Sequence, residues 1–378
     1  MVIVGSGPAA VSAAEAFRDH NPDDPIRIIT DDPALPYARP PLSKEFLRGE
    51  AEPTDAELHP ATWFDERSIE LVRGVSVDAI DVAGRHVTVD GKHRPYRWLI
   101  LACGAKPVPF PVPGGETALL LRSLADAQSL RDAAVKAGSA VVIGAGFIGC
   151  EAAASLAMRG VSTTLVAPDR VPQAKRLGED AGERITRLLR DTGVTYVGSV
   201  SVDGLAEGVV RLDDGTTIEC DLVVAATGVE PQSAMASAAG IETRDGRVVV
   251  DAHMRTSVDN VYAAGDVAFA YNSLAGRSVA VEHWQDAVDQ GEIAGAGAAG
   301  QTREWDAVPG FWTTIGEATL KYHAWGDGFE RARFVDHGDG FTVWYERERA
   351  AVGVLTLNAD EDYDRGEELI QRKSPIPL

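Results

Sequence analysis

The sequence predicts an α/β fold, with two Rossmann-like dinucleotide-binding domains followed by a small C-terminal α+β domain. Two glycine fingerprints and a late change of composition point to it. Gly5-Ser6-Gly7-Pro8-Ala9-Ala10 follows the apolar run Val2 to Val4, and Gly144-Ala145-Gly146-Phe147-Ile148-Gly149 follows Ala140 to Ile143. Each reads as a strand, a tight turn and a helix start, where glycines without side chains let backbone N–H groups and the helix dipole approach a pyrophosphate. After Gly300 the alanine- and glycine-rich sequence gives way to aromatic, alternating segments.

The elements follow in order. The first strand-turn-helix unit leads into a loop around Pro36 to Gly49 and a β-rich stretch from Ile69 to Leu101. Lys106 to Glu116, KPVPFPVPGGE, suits neither helix nor central strand and marks a crossing between domains. A helical pattern from Ser123 to Ala137 precedes the second fingerprint unit, and Asp221 to Gly228 reads as an apolar strand ending at small residues. Phe341 to Tyr345 and Ala351 to Leu357 look like two strands around a polar turn. The acidic run Asp360 to Asp364, with Arg372-Lys373 beyond it, suits a dipole-matched helix better than a docking patch. These boundaries give a discontinuous first domain (1–107 and 231–301), a second domain (108–230) and a C-terminal domain (302–378).

Composition narrows the function classes. With 378 residues, 45% hydrophobic and 25% charged, the chain can bury two or three cores. No long apolar run suggests a membrane span, and the apolar start at Val2 lacks the basic leader of a signal peptide, so a cytoplasmic enzyme is expected. A net charge of −21 argues against a nucleic-acid surface, which requires clustered Lys and Arg. Cys103, Cys150 and Cys220 form no C-x-x-C pair and no zinc spacing, so no metal site and buried, unpaired thiols are expected. Two fingerprints in one chain suggest two dinucleotides, a flavin and its nicotinamide reductant.

Five segments in order, VIVGSGPAA, YARPPLSKEFL, VVIGAGFIGCEAA, VVAATGVEP and VYAAGDVA, resemble the NAD(P)H-dependent ferredoxin reductases grouped with rubredoxin and putidaredoxin reductases. These belong to the flavoprotein class with glutathione-reductase-like architecture. The resemblance covers about the first 300 residues well and the rest more loosely. It implies FAD on the first domain, at Gly5, Gly7, Pro8 and Ala9, with Asp31 at the end of the second strand accepting ribose hydroxyls and Asp32 as the neighbouring alternative. Cys103 replaces a threonine often carried in the turn before Gly104. Gly265 and Asp266 would meet the ribityl chain, unless Asp266 is an ordinary turn acid. Glu282-His283-Trp284 would lay an aromatic ring beside the isoalloxazine, although an isolated Trp is as readily core and His283 reads better as structural than as a proton donor.

The same resemblance pairs Lys44 with Glu151 beside the flavin's reactive edge, close to Arg39. A cation there would stabilise the anionic reduced flavin. The alternative is that both charges cap helices. NAD(P)H would occupy the second domain at Gly144, Gly146, Phe147, Ile148 and Gly149, with Thr227 and Gly228 nearby. Ala167 stands where an NAD-selective acid is usual, while Arg170, Lys175 and Arg176 lie just beyond. The choice between NADH and NADPH stays open.

Disulfide reductases of this class carry close cysteines just before the lysine helix, but here that region reads Pro40-Pro41-Leu42-Ser43-Lys44. With no thiol in that segment to relay electrons, unless Cys103 or Cys150 lies near the flavin N5, the resemblance implies a ferredoxin reductase, passing electrons from NAD(P)H through FAD to a small iron–sulfur protein that feeds a monooxygenase or dioxygenase. Two alternatives stay open: a flavoenzyme reducing a quinone, peroxide or persulfide, and an NADH-switched interaction protein of the apoptosis-inducing-factor type. The C-terminal segment departs from the family's F-W-S-D-Q, reading Phe311-Trp312-Thr313-Thr314-Ile315, with Trp312 either facing the flavin or anchoring the last domain. Oligomeric state is not legible.

Overall fold

Short apolar runs between glycine turns are what a parallel sheet covered on both faces requires. In the computed structural model, which describes residues 1–377, they form two such sheets in two compact units. The first unit comprises residues 1–38, 57–106 and 230–309. Its central sheet is wholly parallel, in the order Val261–Ala263, Leu99–Leu101, Val2–Val4, Ile26–Ile29, Ile69–Val72. Ile3, Ile28, Leu99 and Ile100 are fully buried at its centre.

Two helices pack against each other in this unit, Pro8–His20 and Trp284–Ala298. The alanine- and glycine-rich stretch from Gly291 lies inside the second of them, and its small residues have a packing reason. A Cβ on Gly291 would stand 2.3 Å from the carbonyl oxygen of Ala9, and one on Gly295 would stand 2.1 Å from that of Ala13. Gly291 and Gly295, like Ala9 and Ala13, are four positions apart and share a helix face. Bare backbone on one helix therefore meets alanine on the other, at a separation no larger side chain permits.

The second unit comprises residues 39–56, 107–229 and 310–378. Its parallel sheet runs Thr195–Val197, Ser162–Val166, Ser139–Ile143, Leu222–Ala225. The expected helix before it spans Leu124–Ala134, opened by a capping box between Ser123 and Asp126. The C-terminal part is a five-stranded antiparallel sheet, ordered Gly310–Ile315, Ala318–Ala324, Ala350–Leu357, Phe341–Arg347, Arg331–Asp336, with the helix Asp360–Gln371 packed on it. The acidic run from Asp360 is the first turn of that helix, where the dipole favours carboxylates. The Pro36 to Gly49 loop contains a 3₁₀ turn, Pro40–Ser43, and a one-turn helix, Glu45–Arg48, closed by Gly49 at φ 82°.

Candidate functional site

In the first unit the fingerprint turn works through bare backbone. Gly5 sits at φ 105°, and a Cβ there would stand 2.2 Å from the carbonyl oxygen of Ala102. The helix Pro8–His20 starts on Gly7 with Pro8 at its first position and no capping side chain, so the positive end of its dipole stays open to an anion. Asp31 is exposed at the end of the second strand, whereas Asp32 is engaged by the Tyr37 hydroxyl at 2.7 Å and the Ala34 N–H at 2.9 Å. Those contacts leave Asp31 the better placed of the two for ribose hydroxyls. Cys103 and Gly104 are half-buried in the turn after Leu99–Leu101, with the Cys103 Sγ 3.8 Å from the Val4 carbonyl.

The Gly265-Asp266 turn is gripped from the helix Trp284–Ala298. Gln290 is 1% exposed and accepts the Gly265 N–H at 2.9 Å, while its own amide nitrogen has no partner among the described residues. A buried NH₂ left over beside a dinucleotide turn suits an acceptor atom of a bound group. Glu282 is paired with Arg247 at 2.5 Å, and Arg247 also donates to the Asp266 carbonyl at 3.3 Å. The His283 Nδ1 is 3.0 Å from the Asp286 carboxylate, the contact of an orienting histidine at a helix start. Trp284 opens that helix and is half-buried. Gln290, in the helix Trp284–Ala298, and Arg247, at the start of the strand Arg247–Val250, escaped the sequence reading because a polar residue in either element carries no signal that its side chain turns inward.

The second fingerprint repeats the same geometry. Gly144 is at φ 101° and a Cβ on it would stand 2.5 Å from the Ala226 carbonyl oxygen, while one on Gly149 would stand 1.9 Å from the Gly144 carbonyl oxygen. Gly146 starts the helix Phe147–Met158 with no capping side chain, and Ile148 is exposed in its first turn. Thr227 and Gly228 are exposed just past the strand Leu222–Ala225. Ala167 is buried at the end of Ser162–Val166. Arg170 is held between Glu179 and Glu183, the latter at 3.0 Å, and Lys175 faces Asp169 at 3.5 Å.

Lys44 and Glu151, 107 positions apart, form a buried ion pair at 2.7 Å, with both residues no more than 6% exposed. Neither side chain caps a helix: Glu151 lies within Phe147–Met158, and Lys44 also donates to the Pro40 carbonyl at 2.8 Å. Three further donors converge on the carboxylate. The Ser43 hydroxyl reaches Oε2 at 2.5 Å, the Thr313 hydroxyl reaches Oε1 at 2.6 Å, and the Thr314 N–H reaches Oε1 at 3.3 Å. A buried charge is tolerable when its partner and its lone pairs are satisfied, as here. Ser155 and Arg159 on the same helix bind the carbonyls of Ser43 and Leu47 at 2.7 and 2.9 Å, strapping the segment around Lys44 to it. Arg39 starts the Pro40–Ser43 turn and is half-buried. Trp312, on the opposite strand face from Thr313, is 43% exposed and so does not anchor the C-terminal core. Ser43 and Thr313 were the missed members of this cluster, and the only sequence signs of them were the P-L-S-K segment and the departure at Thr313.

No thiol bonds to this pair: Cys150, next to Glu151 in sequence, points its Sγ at the Ala145 carbonyl 3.8 Å away. Burial pushes the Cys103 thiol up to about 12 and also raises those of Cys150 and Cys220, so all three are protonated at neutral pH. Among the described residues no cluster of three potential metal ligands occurs, and no helix is long and apolar enough to cross a membrane.

Comparison with known proteins agrees with this geometry. Residues 1–291 match the family model described as pyridine nucleotide-disulphide oxidoreductase. Rhodocoxin reductase of Rhodococcus erythropolis is 33% identical over 392 residues, covering 100% of this chain and 90% of that protein. The crystal structure of a ferredoxin reductase for the CYP199A2 system from Rhodopseudomonas palustris superposes with a TM-score of 0.94 at 28% identity, over 99% of this chain and 95% of that one. The covalent putidaredoxin reductase–putidaredoxin complex also gives 0.94, at 29% identity over 99% and 93% of the two chains. The chain thus belongs to the pyridine nucleotide-disulphide oxidoreductase family, on the branch of its ferredoxin reductases.

Proposed function

We propose that this chain is an FAD-dependent NAD(P)H:ferredoxin oxidoreductase, feeding electrons to a small iron–sulfur protein that serves a monooxygenase or dioxygenase. The observation that carries the reading is the buried Lys44–Glu151 pair, bonded to no thiol, in a chain with two dinucleotide turns. A similar protein is named rhodocoxin reductase, and another was solved as a covalent complex with putidaredoxin. When bound, FAD supplies the chemistry, accepting a hydride from NAD(P)H and releasing its electrons singly.

The residues bind and polarise. Gly5 and Gly7 open the backbone to the FAD pyrophosphate, Asp31 accepts ribose hydroxyls, and Gln290 fixes the Gly265-Asp266 turn. Gly144, Gly146 and Gly149 do the same for the nicotinamide dinucleotide, with Phe147, Ile148, Ala167, Thr227 and Gly228 around it. Lys44 presents a fixed positive charge to the flavin, and Glu151 makes its burial affordable. His283, engaged by Asp286, orients the start of the Trp284 helix and moves no proton. A cytoplasmic setting suits the three free cysteines and the NAD(P)H requirement.

The test is anaerobic. Enzyme reduced by one equivalent of NADH or NADPH is mixed separately with a [2Fe-2S] ferredoxin, a disulfide, a quinone and peroxide. Fast one-electron reoxidation by the ferredoxin, surviving replacement of Cys103, Cys150 and Cys220 by Ser, is expected. Reoxidation by the disulfide or peroxide alone would overturn the reading.

A further inference from the structure

The carboxylate of Glu151 is held from two sides by segments far apart in sequence. Lys44 and Ser43 approach Oε2, and the C-terminal sheet approaches Oε1. The approach of the sheet is set by two matching periods. Phe147 and Glu151 lie four apart on one helix and so share a face, while Phe311 and Thr313 lie two apart on one strand and so share a face. Phe311 packs edge-on against Phe147 with ring centroids 4.7 Å apart, and Thr313 reaches Glu151 one step further along. Thr313 is 1% exposed, although threonine has no packing advantage there over valine.

The geometry assigns Thr313 as a positioning residue: its hydroxyl fixes the Glu151 carboxylate so that the Lys44 ammonium is held in one place and keeps its charge available. A carboxylate offers about four lone-pair sites, and here four donors use them. The Glu151 carboxylate is therefore fixed in orientation by these four contacts. Removing the hydroxyl leaves Oε1 with the longer Thr314 N–H bond alone, so the carboxylate turns toward Lys44 and draws more of its charge. The cation offered to the flavin then weakens, and the reduced cofactor loses stabilisation. This inference builds on the role proposed above for Lys44, and it adds the C-terminal domain to the parts that tune that charge.

The experiment compares Thr313→Val, Thr313→Ala and Thr313→Ser as FAD-loaded proteins, reading the FAD midpoint potential by dye-linked reductive titration. No NAD(P)H or ferredoxin enters this titration, so the potential is independent of whether the acceptor assignment holds. Val and Ala should shift the reduction equilibrium about tenfold toward oxidised FAD, a fall of about 30 mV for a two-electron couple, and Ser should restore the wild-type value. Stopped-flow reduction by NAD(P)H should slow in Val and Ala without a change in NAD(P)H Kd. If Val fails to retain FAD, the Ala and Ser pair decides. Wild-type potentials in Val or Ala, or a Ser variant as shifted as Ala, would overturn the assignment.

Discussion

Gly291→Ala should loosen the first unit and release its cofactor. The new Cβ would lie 2.3 Å from the Ala9 carbonyl oxygen and 2.7 Å from the Ala9 Cα, both backbone atoms that cannot rotate away. Ordinary contact at about 3.5 Å requires the two helices to part by roughly 1 Å. Overpacking of this kind costs about 1–3 kcal/mol, and the gain from replacing a mid-helix glycine by alanine returns about 1 kcal/mol. The net loss is about 0–2 kcal/mol, against a total stability of about 5–15 kcal/mol. Gly295→Ala meets the Ala13 carbonyl at 2.1 Å and should behave alike. The double variant should lose less than the sum, because one separation relieves both clashes. Gly297→Ala is the control, since its Cβ would meet the Tyr262 ring edge at 3.2 Å and no backbone atom nearer than the His253 carbonyl oxygen at 3.8 Å. Ala9 belongs to the first fingerprint, so the helix shift should also lower FAD content. Urea midpoints and the flavin-to-protein absorbance ratio of each variant measure both effects. If Gly291→Ala and Gly295→Ala unfold at the Gly297→Ala midpoint with full FAD, the close approach of these helices is not what those glycines serve.

Three further outcomes are expected. Gly7→Val should yield colourless protein, because a side chain would stand in the pyrophosphate turn; a full complement of FAD would mean that the cofactor lies elsewhere. Lys44→Ala and Glu151→Ala should each slow flavin reduction in single-turnover mixing while FAD stays bound, and each should destabilise the protein by about 3–5 kcal/mol, because either change strands a buried charge; wild-type reduction rates in both would remove the pair from the reaction. Ala167→Glu should shift relative kcat/KM toward NADH by roughly ten- to a hundredfold, about 1–3 kcal/mol, through repulsion of a 2′-phosphate; an unchanged ratio would place the adenosine ribose away from Ala167.

The sequence by itself determined the features that act through backbone. A glycine turn between an apolar strand and a helix is legible because the constraint is local: Gly5 and Gly144 sit at positive φ with a carbonyl within 2.5 Å of where a Cβ would be. The parallel sheets, the antiparallel C-terminal strands and the last helix, with acids in its first turn, follow from period and dipole in the same way. Lys44 and Glu151 were paired in advance only through a family resemblance, because no spacing rule joins residues 107 positions apart. Tertiary structure alone decided what completes that pair. Ser43 and Thr313 are ordinary hydroxyl residues in a turn and a strand, and they become donors to one carboxylate only when a helix face and a strand face meet in register. It also decided that Gly291 and Gly295 lie in a helix, although intrinsic propensity argues against glycine there. What overrides propensity is the backbone of a second helix brought within contact distance, a constraint that exists only once the chain has folded.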